Sequence, residues 1–209
     1  VQVKKPEIRA AILKSAFRLF SSKGYVDTTQ PQIAAAAGIS TTNLYSYFES
    51  KIAILYAVHA PWIQEELEGV ARELEDIKEP REKLRRLLTA LFREIPARKK
   101  GFANNIMQAI ATVRPEDRFR PVLVAWLEEK ILSMVIASLP PERHGDVRGV
   151  DIAHFLIMAF NGYIVYRHVA PHRPCSDATI EYLCDIMLAG PIGAKPKAAR
   201  KKPAVKRAA

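Results

Sequence analysis

The sequence predicts an all-α fold of about nine helices, in which a three-helix N-terminal domain with a helix-turn-helix precedes a larger helical domain. Three observations lead there. Apolar residues recur at three- and four-residue intervals along nearly the whole chain, the period of one-faced helices. No segment shows the alternation of a half-buried strand. Pro, Gly and Ser/Thr punctuate the pattern where helices begin and end.

The first helix runs from Pro6 to Ser22, with Ile8, Ala11, Ile12, Ser15, Ala16, Leu19 and Phe20 on one stripe, and Lys23-Gly24 ends it. Residues 29–37 and 40–48 form the next two. Ser50 opens a long fourth helix through Ile52, Leu55, Trp62, Leu67 and Leu74, which Pro61 is expected to kink. A fifth spans about Arg81 to Ile95 and is closed or bent by Pro96. The sixth follows Gly101 up to Arg114-Pro115, and the seventh runs from about Asp117 to Ser138. The eighth covers about Val147–Val169 and the ninth Ser176–Ala189, separated by a Pro-rich loop. The expected domains are residues 1–50, 51–190 and a disordered basic tail, 191–209.

Charge follows the same division. The net charge of +10 is concentrated at the ends: residues 1–51 hold seven Lys/Arg against three acids, and 190–209 hold seven against none. A basic end beside a neutral middle implies one part that meets polyanions and another with a separate task. The tail is read either as a solvated segment or as a sequence-independent grip on phosphates. Two cysteines, Cys175 and Cys184, are too few for a disulfide framework and fit reduced packing residues in a cytoplasmic protein. No apolar run approaches the roughly 18–20 residues of a membrane span, and the first residues lack the apolar stretch of a secretory signal.

The residues from Thr29 to Lys51 carry the functional reading. Thr29 and Gln32 make the Thr-x-x-Gln capping box, and Pro31 suits a first helical turn. Gly38 supplies a left-handed C-terminal turn, Ile39 the buried elbow, and Ser40 an N-cap. Leu44 and Phe48, four apart, face inward, which leaves Thr41, Thr42, Asn43, Tyr45 and Tyr47 at the start and outer side of a helix of the size that enters a major groove. Lys51, beside the cap Ser50, is a candidate phosphate clamp.

These motifs resemble the signature of the TetR family of bacterial transcriptional regulators: Thr28–Thr29, Ile33–Ala34, Ala37–Ser40, Leu44–Phe48 and Ser50–Lys51. The likeness covers about the first quarter of the chain. It implies that Thr29, Tyr45, Tyr47 and Lys51 hold the DNA backbone while Thr41, Thr42 and Asn43 lie near bases. Thr41 departs from the pattern, since many relatives carry Lys or Arg there, and Lys4, Lys5 and Arg9 ahead of the first helix are placed to compensate.

The same resemblance implies that the second domain binds a ligand and dimerises through its last two helices. Val150, Ala153, His154, Ile157, Gly162, Ile164, Ile180, Leu183, Cys184 and Met187 fit an apolar seam between two copies, and fit intrachain core equally. Trp62, Phe92, Phe102, Met107, Trp126, Phe155, Met158, Asn161 and Tyr163 are the candidates for an apolar cavity with one polar handle. His168, His172 and Cys175 have a spacing open to a transition metal. Pro171 and Pro174 interrupt any helix that would align them, so no metal or cofactor is assigned.

The expected function is a homodimeric DNA-binding regulator released from a palindromic operator by a small apolar ligand. The competing reading is an architectural protein that coats DNA with its basic ends. A Gly-rich phosphate loop, a His-Glu-x-x-His motif and a nucleophile elbow are all missing from the sequence, and no enzymatic activity is expected.

Overall fold

The computed structural model describes residues 5–98, 100–112, 122–141, 144, 149–169 and 174–189. Among these residues there are nine helices and no strand. Helices α1 (Pro6–Lys23), α2 (Gln30–Ala36) and α3 (Thr41–Tyr47) form the N-terminal head, and α4 (Lys51–Asp76) leads out of it.

Helix α5 starts at Pro80–Thr89, widens into a π-helical turn over Ala90–Glu94 and finishes as Ile95–Arg98. Then follow α6 (Lys100–Thr112), α7 (Val122–Ala137), α8 (Gly149–Val169) and α9 (Asp177–Ala189). The breaks expected at Pro115 and at Pro171, and the basic tail, lie outside the described residues.

Two prolines are accommodated differently. Helix α4 is a single element through Pro61, which cannot donate to the carbonyl of Ala57 one turn back. Ahead of Pro96 the ladder lengthens instead, with the Ile95 N–H donating to the carbonyl of Ala90. The extra residue in that turn rotates the following positions relative to a regular α-helix.

Two apolar clusters organise the chain. In the head, Ile12, Ala16 and Phe20 of α1 pack on Ile33, Ala34, Leu44 and Phe48. Ile52, Ile54 and Leu55 belong to the same cluster, as do Ile106 and Ala109 of α6, so the head's core continues into the first turns of α4 and onto α6. The second cluster joins Ile63, Leu67, Val70 and Leu74 of α4 to Leu84, Leu87, Leu88 and Leu91 of α5, with Ile131, Met134 and Val135 of α7 and Ile180 and Cys184 of α9. Each fully buried Leu or Ile side chain contributes about 1.5–3 kcal/mol through water release. Tyr56 of α4 packs against both clusters and marks where they meet.

Ion pairs on the surface staple the last helix in place. Arg81 and Arg85 of α5 both hold Glu181 of α9, and Arg81 also reaches Asp185 at 2.7 Å. Arg93 donates to the carbonyl of Cys175 at 2.6 Å, fixing the approach to α9.

Candidate functional site

The head is built from short helices whose ends are closed by side chains. At α2 the Thr29 hydroxyl accepts from Gln32 N–H at 3.4 Å while Gln32 Oε1 accepts from Thr29 N–H at 3.0 Å, the reciprocal capping box. The helix ends at Gly38, whose φ of 71° is favourable only without a Cβ. Ile39 N–H then donates to Ala34 O at 3.0 Å and Gly38 N–H to Ala35 O at 3.1 Å, the paired bonds of a Schellman turn. Ser40 Oγ caps α3 through Asn43 N–H at 3.1 Å, and Ser50 Oγ caps α4 through Ala53 N–H at 3.2 Å. Three successive caps fix the direction of α3 relative to its neighbours.

That direction decides which side chains face outward. Leu44 is fully buried and Phe48 nearly so, whereas Thr42 and Tyr45 are exposed and Thr41, Asn43 and Tyr47 half-exposed. Thr29, at the start of α2, is exposed on the same head. The Tyr45 hydroxyl donates to Gln30 Oε1 at 3.3 Å, and the Tyr47 hydroxyl accepts from Lys5 N–H at 3.0 Å. Arg9 stacks over the Phe48 ring at 5.4 Å. The basic start of α1 is thus held beside the C-terminal end of α3.

Lys51 is placed differently from a freely reaching clamp. Its ammonium donates to the carbonyls of Tyr25 and Thr28, each at 2.8 Å, and lies 4.2 Å from the centre of the Tyr25 ring. Burial pushes its pKa down, with the Asp27 carboxylate opposing. Side chains in a helix lean toward its N-terminus, and at the first position of α4 that direction leads into the turn between α1 and α2. The sequence pattern read Lys51 as a phosphate clamp at the start of the second domain and did not reveal that its charge is engaged by this turn.

The second domain contains a cavity of about 260 Å³ between α4, α6, α7 and α8, open to solvent on one side where Met158 and Ile110 are exposed. Its wall is mostly aliphatic: Ile63 and Leu67 from α4, Ile106 and Ile110 from α6, Leu123, Leu127 and Ile131 from α7, and Ile157 from α8. Of the sequence candidates, Met107, Met158 and Asn161 line it.

The other candidates are elsewhere. Trp62 packs on the apolar cluster and its indole N–H donates to Glu66 at 3.0 Å, one turn along the same helix. Phe92 sits inside the π-helical turn, which directs it into the core, with its ring edge-to-face against Tyr163 at 6.0 Å. Trp126 packs half-buried on the cluster, adjacent to the cavity-lining Leu127 but one helical step away from that face. Phe155 points outward, 58% exposed. The side chain of Phe102 lies outside the described residues.

Beside Asn161, two polar residues that the sequence does not mark as cavity residues, Glu128 and His154, line it, and His154 Nδ1 lies 2.9 Å from Glu128 Oε1. His154 had read as a seam residue, because an isolated imidazole on an apolar stripe carries no mark of the carboxylate that meets it from another helix.

Of the residues that fit either a seam between copies or intrachain core, Ile180 and Cys184 are buried in the chain's own core, and Leu183 and Met187 pack against it. The outward apolar positions are Phe155, Met158 and Tyr166 on α8 and Tyr182 and Ile186 on α9. Val150, Ala153 and Ile164, like the metal candidates His168 and His172, have side chains outside the described residues. Among the described residues no cluster of His, Cys, Asp or Glu is arranged to hold a metal ion, and no helix is long and apolar enough to cross a membrane.

Residues 12–58 match the family model for bacterial regulatory proteins of the tetR family. The uncharacterized HTH-type transcriptional regulator YerO of Bacillus subtilis is 33% identical over 90 residues, 42% of this chain and 31% of that protein. The chain therefore spans about a third of the length of this curated relative. The HTH-type transcriptional regulator RutR of Escherichia coli is 28% identical over 167 residues, covering 78% of this chain and 75% of that protein. Among solved structures, the TetR-family repressor FadR of Thermus thermophilus, crystallised with lauroyl-CoA, superposes with a TM-score of 0.64. That likeness covers 95% of this chain and 100% of the other at 22% identity, and it establishes a shared fold.

Proposed function

We propose that this chain, which belongs to the tetR family through its N-terminal domain, is a homodimeric repressor that reads a palindromic operator and leaves it when an apolar ligand fills the cavity. The observation that carries this reading is the outer face of α3, where Thr42 and Tyr45 are exposed while Leu44 anchors the helix from behind. In this reading Thr41, Thr42 and Asn43 enter a major groove and meet base edges. Thr29, Tyr45 and Tyr47 donate to phosphates on either side, and Lys51 serves the backbone grip by holding the turn ahead of α2 in place. Lys5 and Arg9, fixed beside α3, supply the positive charge that Thr41 does not.

A dimer is needed because one recognition helix reads few base pairs, and two must sit about 34–36 Å apart to meet successive half-sites. The exposed apolar residues of α8 and α9 are the surface for that contact. The ligand has an apolar body matched to the aliphatic wall and a polar handle met by Asn161 and the His154–Glu128 pair. Lauroyl-CoA, the ligand of the Thermus neighbour, makes an acyl chain the first body to test.

Selection from random duplex DNA with the purified full chain at near-physiological salt tests this function. Recovery of a palindrome is expected. Retention of DNA with no recovered motif, together with a steep fall in affinity as salt rises, would replace the repressor with a sequence-independent coating protein.

A further inference from the structure

Helix α6 belongs to both halves of the molecule at once. Ile106 and Ala109 are members of the head's apolar cluster, while Ile106, Met107 and Ile110 line the cavity. On the head side, Asn105 Nδ2 donates to the carbonyl of Phe20 at 3.1 Å and Gln108 Oε1 accepts from Val26 N–H at 3.4 Å. At 100° per residue, positions 105, 108 and 109 share one face, and 107 and 110 lie across the helix from them. The two bonds grip the end of α1 and the turn that leads to α2.

Asn105 is poorly explained by stability. It is buried, and its Oδ1 has no hydrogen-bond partner. The carbonyl it meets is already satisfied, since Phe20 O also accepts from Gly24 N–H at 3.1 Å. A buried amide oxygen without a partner costs stability, and Phe20 O keeps its bond from Gly24 N–H when the amide is replaced by an apolar residue of similar size. Gly24 has φ of 81°, and the space where a side chain would stand is bounded by Gln108 Oε1 at 3.5 Å and Asn105 Oδ1 at 3.9 Å. The turn and the two amides are fitted to each other.

We propose that Asn105 and Gln108 are positioning residues that report the state of the cavity to the DNA-reading head. Filling the cavity displaces the Met107–Ile110 face of α6, the opposite face withdraws from Phe20 and Val26, and the α1–α2 turn that Lys51 also holds is released. This rests on the ligand-responsive reading above but is tested without an identified ligand.

The experiment is a double-mutant cycle on the full chain, with Met107→Trp as internal bulk in the cavity and Asn105→Leu as the severed clamp. Hydrogen exchange over residues 24–47 is the direct readout, and affinity for the selected duplex is the second. Met107→Trp alone is expected to speed exchange over that segment and to weaken DNA binding about tenfold, within the usual range of coupling between sites. In the Asn105→Leu background the same bulk is expected to change either quantity by less than about twofold, while Asn105→Leu alone leaves the melting temperature unchanged or raised. Equal effects of Met107→Trp in both backgrounds, or no effect on exchange in the native background, overturn the proposal. If Met107→Trp does not fold, Leu127→Trp delivers the bulk from the opposite wall. Failure to recover any preferred duplex would sink the repressor reading, while the exchange cycle still decides the clamp.

Discussion

The head and the cavity-bearing domain are made of the same helices but solve opposite problems. In the head, α2 and α3 have seven residues each, too few to be stable alone, and every junction from Thr29 to Ser50 is closed by a side-chain cap. Its inward residues, Ile12, Ile33, Leu44 and Leu55, are completely buried. The second domain has longer helices, a widened π-helical turn, a cavity of about 260 Å³ and a last helix tied on by ion pairs. Both cores hold completely buried side chains, Leu84, Leu87 and Leu88 in the second as in the first; what differs is the run of caps on one side and the cavity on the other.

The largest expected difference lies in core truncation. Leu44→Ala removes a side chain enclosed on all sides and is expected to destabilise the head by about 3–5 kcal/mol. Leu127→Ala, in the cavity wall, removes a side chain that is only partly buried, and about 2 kcal/mol is expected. Urea unfolding of the two variants measures both, and equal losses would erase the distinction between head core and cavity wall.

Tyr45→Phe sharpens the comparison at the DNA. In the proposed reading the Tyr45 hydroxyl exchanges Gln30 Oε1 for a phosphate, so its loss is expected to weaken binding by about 1.5–3 kcal/mol, uniformly across sequences and with little change in unfolding midpoint. Leu127→Met, in the cavity, is expected to leave affinity for DNA unchanged when no ligand is added. Filter binding on selected and scrambled duplexes distinguishes the two.

Caps offer a matched pair. Ser40→Ala and Ser176→Ala each remove a hydroxyl that accepts from a backbone N–H at 3.1 Å, so each is expected to cost about 1 kcal/mol in thermal unfolding. Only Ser40→Ala is expected to lower DNA affinity as well, because only that cap aims α3.

The smallest effect is the response to acid. Hydrogen bonds from Arg85 and then Arg81 hold the Glu181 carboxyl below its ordinary value of 4.5. A lowered carboxylate stabilises the folded state above that value, and the contribution is lost as pH falls through the folded pKa. Exchange protection of α9 is therefore expected to decline below about pH 4.5 in the native chain. In Glu181→Gln it should start lower at neutral pH and vary less with acid, while protection of the head is the same in both.

How much was legible in the sequence follows the same division. The head's helices are defined by local chemistry: Thr29 with Gln32, Gly38, Ser40 and Ser50 act within four residues of where they stand, so reading them in order recovers the turn and the exposed face of α3. The partner of Lys51 is more than twenty residues away, and spacing gave no sign of it. In the cavity-bearing domain the decisive facts are between helices. Trp62 and Phe92 looked like cavity residues because aromatic side chains suit cavities, yet Glu66 and the π-helical turn direct them elsewhere. Glu128 and His154 are 26 residues apart, and only the packing of α7 on α8 brings them together.

The central claim, that α3 reads bases from a head held in register by its caps, is tested most directly by repeating the random-duplex selection with Asn43→Ala. The account predicts that the recovered palindrome keeps its half-site spacing but loses preference at one or two base pairs in each half-site. An unchanged motif at every position would contradict it, because the bases would then be read from somewhere other than the start of α3.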